Sequence, residues 1–340
     1  MYLQQIRIPA AVLALMAAAS CTSTVDEPPM ADAAAVSFTA GNASRSLIEN
    51  DADLQNSEAG FAVWGEYYET SKPDAMRAKV FDAKRVAYTG GAWAYDDVQY
   101  WFPGMTYSFA ALFPAGVKGA TYGGGTQVAL VGYDVLKSKG VDLLGSMAVR
   151  ECRVGVPQTP VAFGFRHLLS QLNFVAKVNA SVQSGVVIES AVLYGIPSSG
   201  NWSGYGEDAR SAWTALASSE TTAAAPLAQA ASVTVLPTDA GGKALFGGGN
   251  ALLCIPQAVP DKAVFEVRYH YADTPDVPRT YTFNLKLASG MLTNGWEPGG
   301  SYRYTFEIGS DDFILFTKPE VVEWEEKSGS NIIIQGDETN

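Results

Sequence analysis

Strict alternation of apolar and polar side chains constrains this chain more than any other feature. It runs through Tyr107, Phe109, Ala111 and Phe113, through Leu172, Phe174, Ala176 and Val178, and through Phe265, Val267, Tyr269 and Tyr271. It returns in Tyr281, Phe283, Leu285 and Leu287, and again in Tyr302, Tyr304, Phe306 and Ile308. A period of two puts each set on one face of a half-buried antiparallel strand. Turn punctuation separates the runs: "TGGAW", "FPGM", "YGGGT", "DTPDVP" and "TNGWEPGG". No stretch carries a helical stripe of three turns, and only "GEDARSAWTALASSE", residues 206–220, could hold a short helix. The pattern predicts all-β sandwiches and disfavours helical and α/β folds together.

The first twenty residues read as an export signal. Arg7 supplies the positive charge, "AAVLALMAAAS" is an apolar run too short to span a bilayer, and Cys21 follows at once. Small residues directly before a cysteine form the cleavage box of bacterial lipoproteins, although Ala18 stands where a leucine is usual. The expectation is that Cys21 becomes the acylated N-terminus and holds the chain on a membrane surface. Residues 21–34, small, polar and acidic, suit a flexible tether. The remaining length suggests two domains. Two prolines and a glycine in "RECRVGVPQTP" place their division at 158/159, giving an N-terminal domain of residues 35–158 and a C-terminal domain of residues 159–340.

A formal charge of −12 without a basic cluster makes nucleic acid a poor partner. Beyond Cys21 only Cys152 and Cys254 remain, which is no disulfide framework; a single bridge or two separate thiols both fit the sequence. Neither His167 nor His270 has a metal-ligand partner at short spacing, so no metal and no cofactor is expected. His167 reads as a structural hydrogen-bonding residue and His270 as exposed. The "GGG" runs at 123–125 and 247–249 lack the Lys-Ser/Thr of a phosphate loop and read as loops. No nucleophile elbow is present, and no catalytic residue is assigned.

The aromatic string "WAYDDVQYWFPGMTYSF" has two readings. Alternation makes Trp93 with Tyr95, and Tyr107 with Phe109, sandwich core. The adjacent Tyr100, Trp101 and Phe102 cannot all point inward, which leaves them as ligand-facing candidates for a host protein or a glycan.

Taken in order, "FAVWG" at 61–65, "QYWFPGMTYSFAALFP" at 99–114, "DLLGSMAV" at 142–149, "FRHLLSQLNFVAKV" at 165–178, "LLCIPQ" at 252–257 and "NGWEPGGSYRYTFEIG" at 294–309 resemble the fimbrillin family. These are surface lipoproteins and pilus subunits of Gram-negative gut and oral bacteria. The resemblance implies two transthyretin-like antiparallel β-sandwich domains in tandem, display on the outer membrane, and assembly with other fimbrial subunits or action as an adhesin. The alternative is a surface carbohydrate-binding lipoprotein. The resemblance also implies removal of the first strand by an arginine-specific protease. Here "AVSFTA" occupies that strand and the cut falls between Arg45 and Ser46. A strand from another subunit would take its place, and Ile332, Ile333 and Ile334 in the C-terminal tail are the expected donor.

Overall fold

The alternating runs pair into four sheets in a computed structural model that describes residues 34–42, 51–138, 140–205, 211–246, 252–289, 292 and 295–323. The N-terminal half contains β1 (Phe38–Asn42), β2 (Phe61–Glu69), β3 (Ala78–Thr89), β4 (Ala92–Ala94), β5 (Met105–Phe113), β6 (Ala120–Gly124), β7 (Gln127–Asp134), β8 (Leu144–Cys152) and β9 (Val161–His167). Seven of these make one sheet in the order β1-β9-β8-β5-β2-β3-β4. Its pairs are antiparallel except at one edge, where β1 lies parallel to β9.

Alternation gives this sheet two buried faces. One carries Val63, Phe81, Phe109, Phe163 and Phe165 into an aromatic core. The other carries Ala62, Trp64, Ala110 and Leu112 into a second core, which continues through the C-terminal half. Each large apolar side chain so buried contributes about 1.5–3 kcal/mol.

The C-terminal half contains β10 (Ser170–Val178), β11 (Val186–Tyr194), β12 (Ser199–Tyr205), β13 (Ser211–Ala215), β14 (Ala228–Ala230), β15 (Val233–Val235), β16 (Lys243–Ala244), β17 (Leu252–Cys254), β18 (Val264–Tyr271), β19 (Arg279–Asn284), β20 (Gly300–Ile308), β21 (Ile314–Phe316) and β22 (Glu320–Glu323). Parallel β10 and β20 centre one sheet, and antiparallel β11 and β18 centre another. Between them Phe174 stacks on Phe265 at 4.8 Å and on Tyr304 at 5.0 Å. The fourth sheet, β13-β12-β7-β6, joins the two halves, pairing Ser199 with Asp134 and Gly200 with Tyr133.

Three expectations need correction. The division at 158/159 falls in the connection between β8 and β9, and β9 completes the sheet of the N-terminal half beside β8 and β1. The prolines there punctuate a turn within the sheet. Among the described residues of the segment that could hold a short helix, Ser211–Ala215 is strand and only the 3-10 turn Ala217–Ser219 is helical. Leu287 is 79% exposed. Strand β19 ends at Asn284, whose side chain accepts a hydrogen bond from the Lys286 N–H and caps the helical turn Leu285–Ala288. Past that cap the period of two no longer applies. Of the glycine runs, Gly123 and Gly124 end β6 and Gly125 turns the chain toward β7, while 247–249 lies outside the described residues.

Candidate functional site

β1 is short, and it sits at an edge of its sheet with three buried side chains: Val36 just before it, then Phe38 and Ala40. Period two aims all three at the aromatic core. Phe38 packs against four rings, with centroids 5.5 Å from Phe81, 5.6 Å from Tyr95, 6.1 Å from Phe109 and 5.5 Å from Phe163. The Phe163 ring is stacked on it at 17°, whereas Phe109 meets it edge-on at 90°.

Backbone bonds hold the segment on both sides. Toward β9, the Val161 N–H donates to the Ser37 carbonyl at 2.8 Å. Toward the loop before β5, the Val36 N–H donates to the Gln99 carbonyl at 2.8 Å, and the Trp101 N–H donates to the Ala34 carbonyl at 3.0 Å. The Tyr95 hydroxyl donates to the Val36 carbonyl at 2.6 Å. Burial pushes that phenol above its ordinary value, so it stays a neutral donor. Residues 34–40 therefore fill a slot whose floor is aromatic and whose two rims are hydrogen-bonding backbone. Withdrawal of the segment would uncover an apolar groove and an unpaired strand edge together.

The structure separates the three adjacent aromatics. Tyr100 is 50% exposed, Phe102 is half-buried beside Tyr67, and Trp101 is 2% exposed. The Trp101 ring lies 4.6 Å from Tyr107 and 6.1 Å from Phe109, so it faces the core and no ligand. Cys21, Arg45, Ser46, Ile332, Ile333 and Ile334 lie outside the described residues. Cys152 and Cys254 are separate, buried thiols.

His167 stands with Nδ1 2.7 Å from Asp142 Oδ2, both side chains without exposed surface. Asp142 as its partner was not legible from alternation, because a carboxylate reached through a turn has no periodic signature. His270 is half-buried, 3.0 Å from Glu189, which also meets Arg268. Among the described residues no three His, Cys, Asp or Glu side chains converge as a metal would require.

Comparison with known proteins bears on this edge strand. The family profile described as fimbrillin-like matches residues 50–324, a span that starts just beyond β1. No curated protein matches the chain. Among solved structures, a fimbrial protein from Bacteroides vulgatus superposes with a TM-score of 0.60 at 15% identity, covering 85% of this chain and 99% of that one. A candidate cell adhesion protein from Bacteroides ovatus superposes with a TM-score of 0.54 at 16% identity, covering 87% and 99%. At these identities the likeness concerns the fold.

Proposed function

The chain belongs to the fimbrillin-like family, and from that premise we propose that it is a fimbrial subunit or adhesin, exported as a lipoprotein, whose assembly replaces β1 with a strand from another subunit. The observation that carries this reading is the Phe38 slot. A single edge strand holds one aromatic anchor against four rings, yet among the described residues its only strand partner is β9.

In this reading the lipid on Cys21 first holds the subunit on the outer membrane. A cut between Arg45 and Ser46 then frees residues up to 45, taking with them β1 and the lipid. The slot left behind displays the rings of Phe81, Tyr95, Phe109 and Phe163 and the bare edge of β9. Strand addition suits such an edge, since backbone bonds supply affinity and alternate side chains supply register. Ile332 and Ile334 of a neighbouring subunit are two residues apart and fall on one face of a strand, as Val36 and Phe38 do. Ile333 then faces outward.

Export and cutting are tested by sequencing the N-terminus of surface-extracted protein from wild-type and Arg45→Ala cells. The proposal expects Ser46 as the first residue of wild-type polymers. In the variant it expects Cys21 as the first residue, bearing lipid, and no polymers. Wild-type polymers that start at Cys21 would contradict it.

A further inference from the structure

β3 opposes Trp64 with a bulge. Val63 pairs with Lys84 and Gly65 pairs with Phe81, so Asp82 and Ala83 together face Trp64 alone. Ala83 has φ of 52°, the left-handed region that a non-glycine residue rarely enters. Bulges of this kind re-aim side chains. Here the consecutive Asp82 and Ala83, which a regular strand would send to opposite faces, both line one pocket.

That pocket has a volume of about 400 Å³ and lies between the β3 bulge and β6. Trp64 and Tyr122 provide its aromatic walls, and Lys79 and Asp82 its polar rim. The volume lies in the lower part of the range of small-molecule sites, roughly 300–1,000 Å³.

Two features define what fits. Trp64 is 5% exposed and lines the pocket, where its indole N–H is a donor without acceptor character. At the rim, Lys79 Nζ pairs with Asp82 Oδ2 at 2.8 Å, which leaves no net charge but keeps spare ammonium protons and carboxylate lone pairs. An ionic ligand would have to break that pair. A neutral polyol would not. The Tyr122 ring is held in place by its hydroxyl, which donates to the Gly125 carbonyl at 2.9 Å. It offers a fixed aromatic face of the kind that covers the C–H face of a sugar.

We propose that this pocket binds one pyranose ring of a neutral glycan. The Trp64 N–H and the Lys79–Asp82 pair address its hydroxyls, and the aromatic walls address its C–H face. The site stands on the opposite face of the sheet from the Phe38 slot. It owes nothing to strand replacement and stands or falls separately from it.

The test is saturation-transfer NMR on the mature chain with the methyl pyranosides of glucose, galactose, mannose, fucose and N-acetylglucosamine, with glycine as a zwitterionic control. At least one pyranoside should bind saturably and glycine should not. Asp82→Ala, at an exposed position, should weaken binding about tenfold while leaving the melting temperature unchanged. Trp64→Phe, which keeps an aromatic ring and removes the N–H, should do the same where it folds. Tyr100→Ala should leave binding unchanged. Saturable binding by none of the five sugars, or binding that Asp82→Ala leaves intact, overturns the proposal.

Discussion

Phe38 stacks on Phe163 with ring centroids 5.5 Å apart and planes 17° from parallel, and this contact ties the edge strand to β9 through side chains as well as backbone. The register sets Phe38 opposite Val161 and Ala40 opposite Phe163. The stacking is therefore diagonal across the pair, within reach of aromatic side chains. Phe38→Ala should cost about 3–5 kcal/mol in chemical denaturation of the uncut chain. A loss below about 1 kcal/mol would mean that β1 is not anchored by this ring.

The His167–Asp142 pair predicts a second large effect. Asp142 Oδ1 also accepts the Leu143 N–H at 2.7 Å, and the Leu168 N–H donates to the Leu143 carbonyl at 2.9 Å. The pair thus ties the start of β8 to the end of β9. Removing one member of a buried pair leaves the other without compensation, so Asp142→Ala should cost about 3–5 kcal/mol. Asp142→Asn, which keeps an acceptor, should cost less. Equal stability of Asp142→Ala and wild type would refute the structural role.

Glu189 gives a pH dependence with a definite sign. Hydrogen bonds from Arg268 and then His270 hold its carboxyl below the ordinary value. A carboxylate lowered in the folded state stabilises above its unfolded pKa, about 4.3, and that contribution is lost as pH falls through the lower folded value. Glu189→Gln should therefore be less stable than wild type at neutral pH and equal to it at about pH 2. A gap that is constant over that range would contradict the assignment.

Cys152 and Cys254 should resist thiol reagents in the native protein. Burial raises both thiols above their ordinary values, and the thiolate is the reacting form. An Ellman assay at pH 8 should count neither thiol until denaturant is added, and then both. Immediate reaction of either would show that its strand opens readily.

Much of the core was legible from alternation alone. Tyr107, Phe109, Phe174, Phe265, Tyr304 and Phe306 are buried in strands, as their spacing requires. Phe283 pairs with Phe265 but is only half-buried, because β19 is an edge strand, and its ring stacks on Phe316 at 4.1 Å. Edges depend on which strands become neighbours, and periodicity carries no information about that. The β3 bulge was hidden for a related reason: an extra residue shows only against the partner strand. The proline-rich connection before β9 misled because turns within a sheet and turns between domains draw on the same residues. Of the slot, the strand "AVSFTA" was visible, whereas its floor comes from β3, β5, β9 and the Tyr95 loop and could be read only once folded.

Strand replacement itself is tested most directly by a cross-link between subunits. Ala162 of β9 is exposed, and it pairs with Thr39 of β1, between the buried Phe38 and Ala40. Ile333 is the tail residue expected to face outward opposite it when Ile332 and Ile334 enter the slot in the places of Phe38 and Ala40. Polymers formed by an Ala162→Cys, Ile333→Cys double variant should, under mild oxidation, give a ladder of covalent multimers in denaturing gels, absent from either single variant. Polymers that assemble normally and yield only monomers after oxidation would contradict replacement of β1 by the tail of a neighbouring subunit.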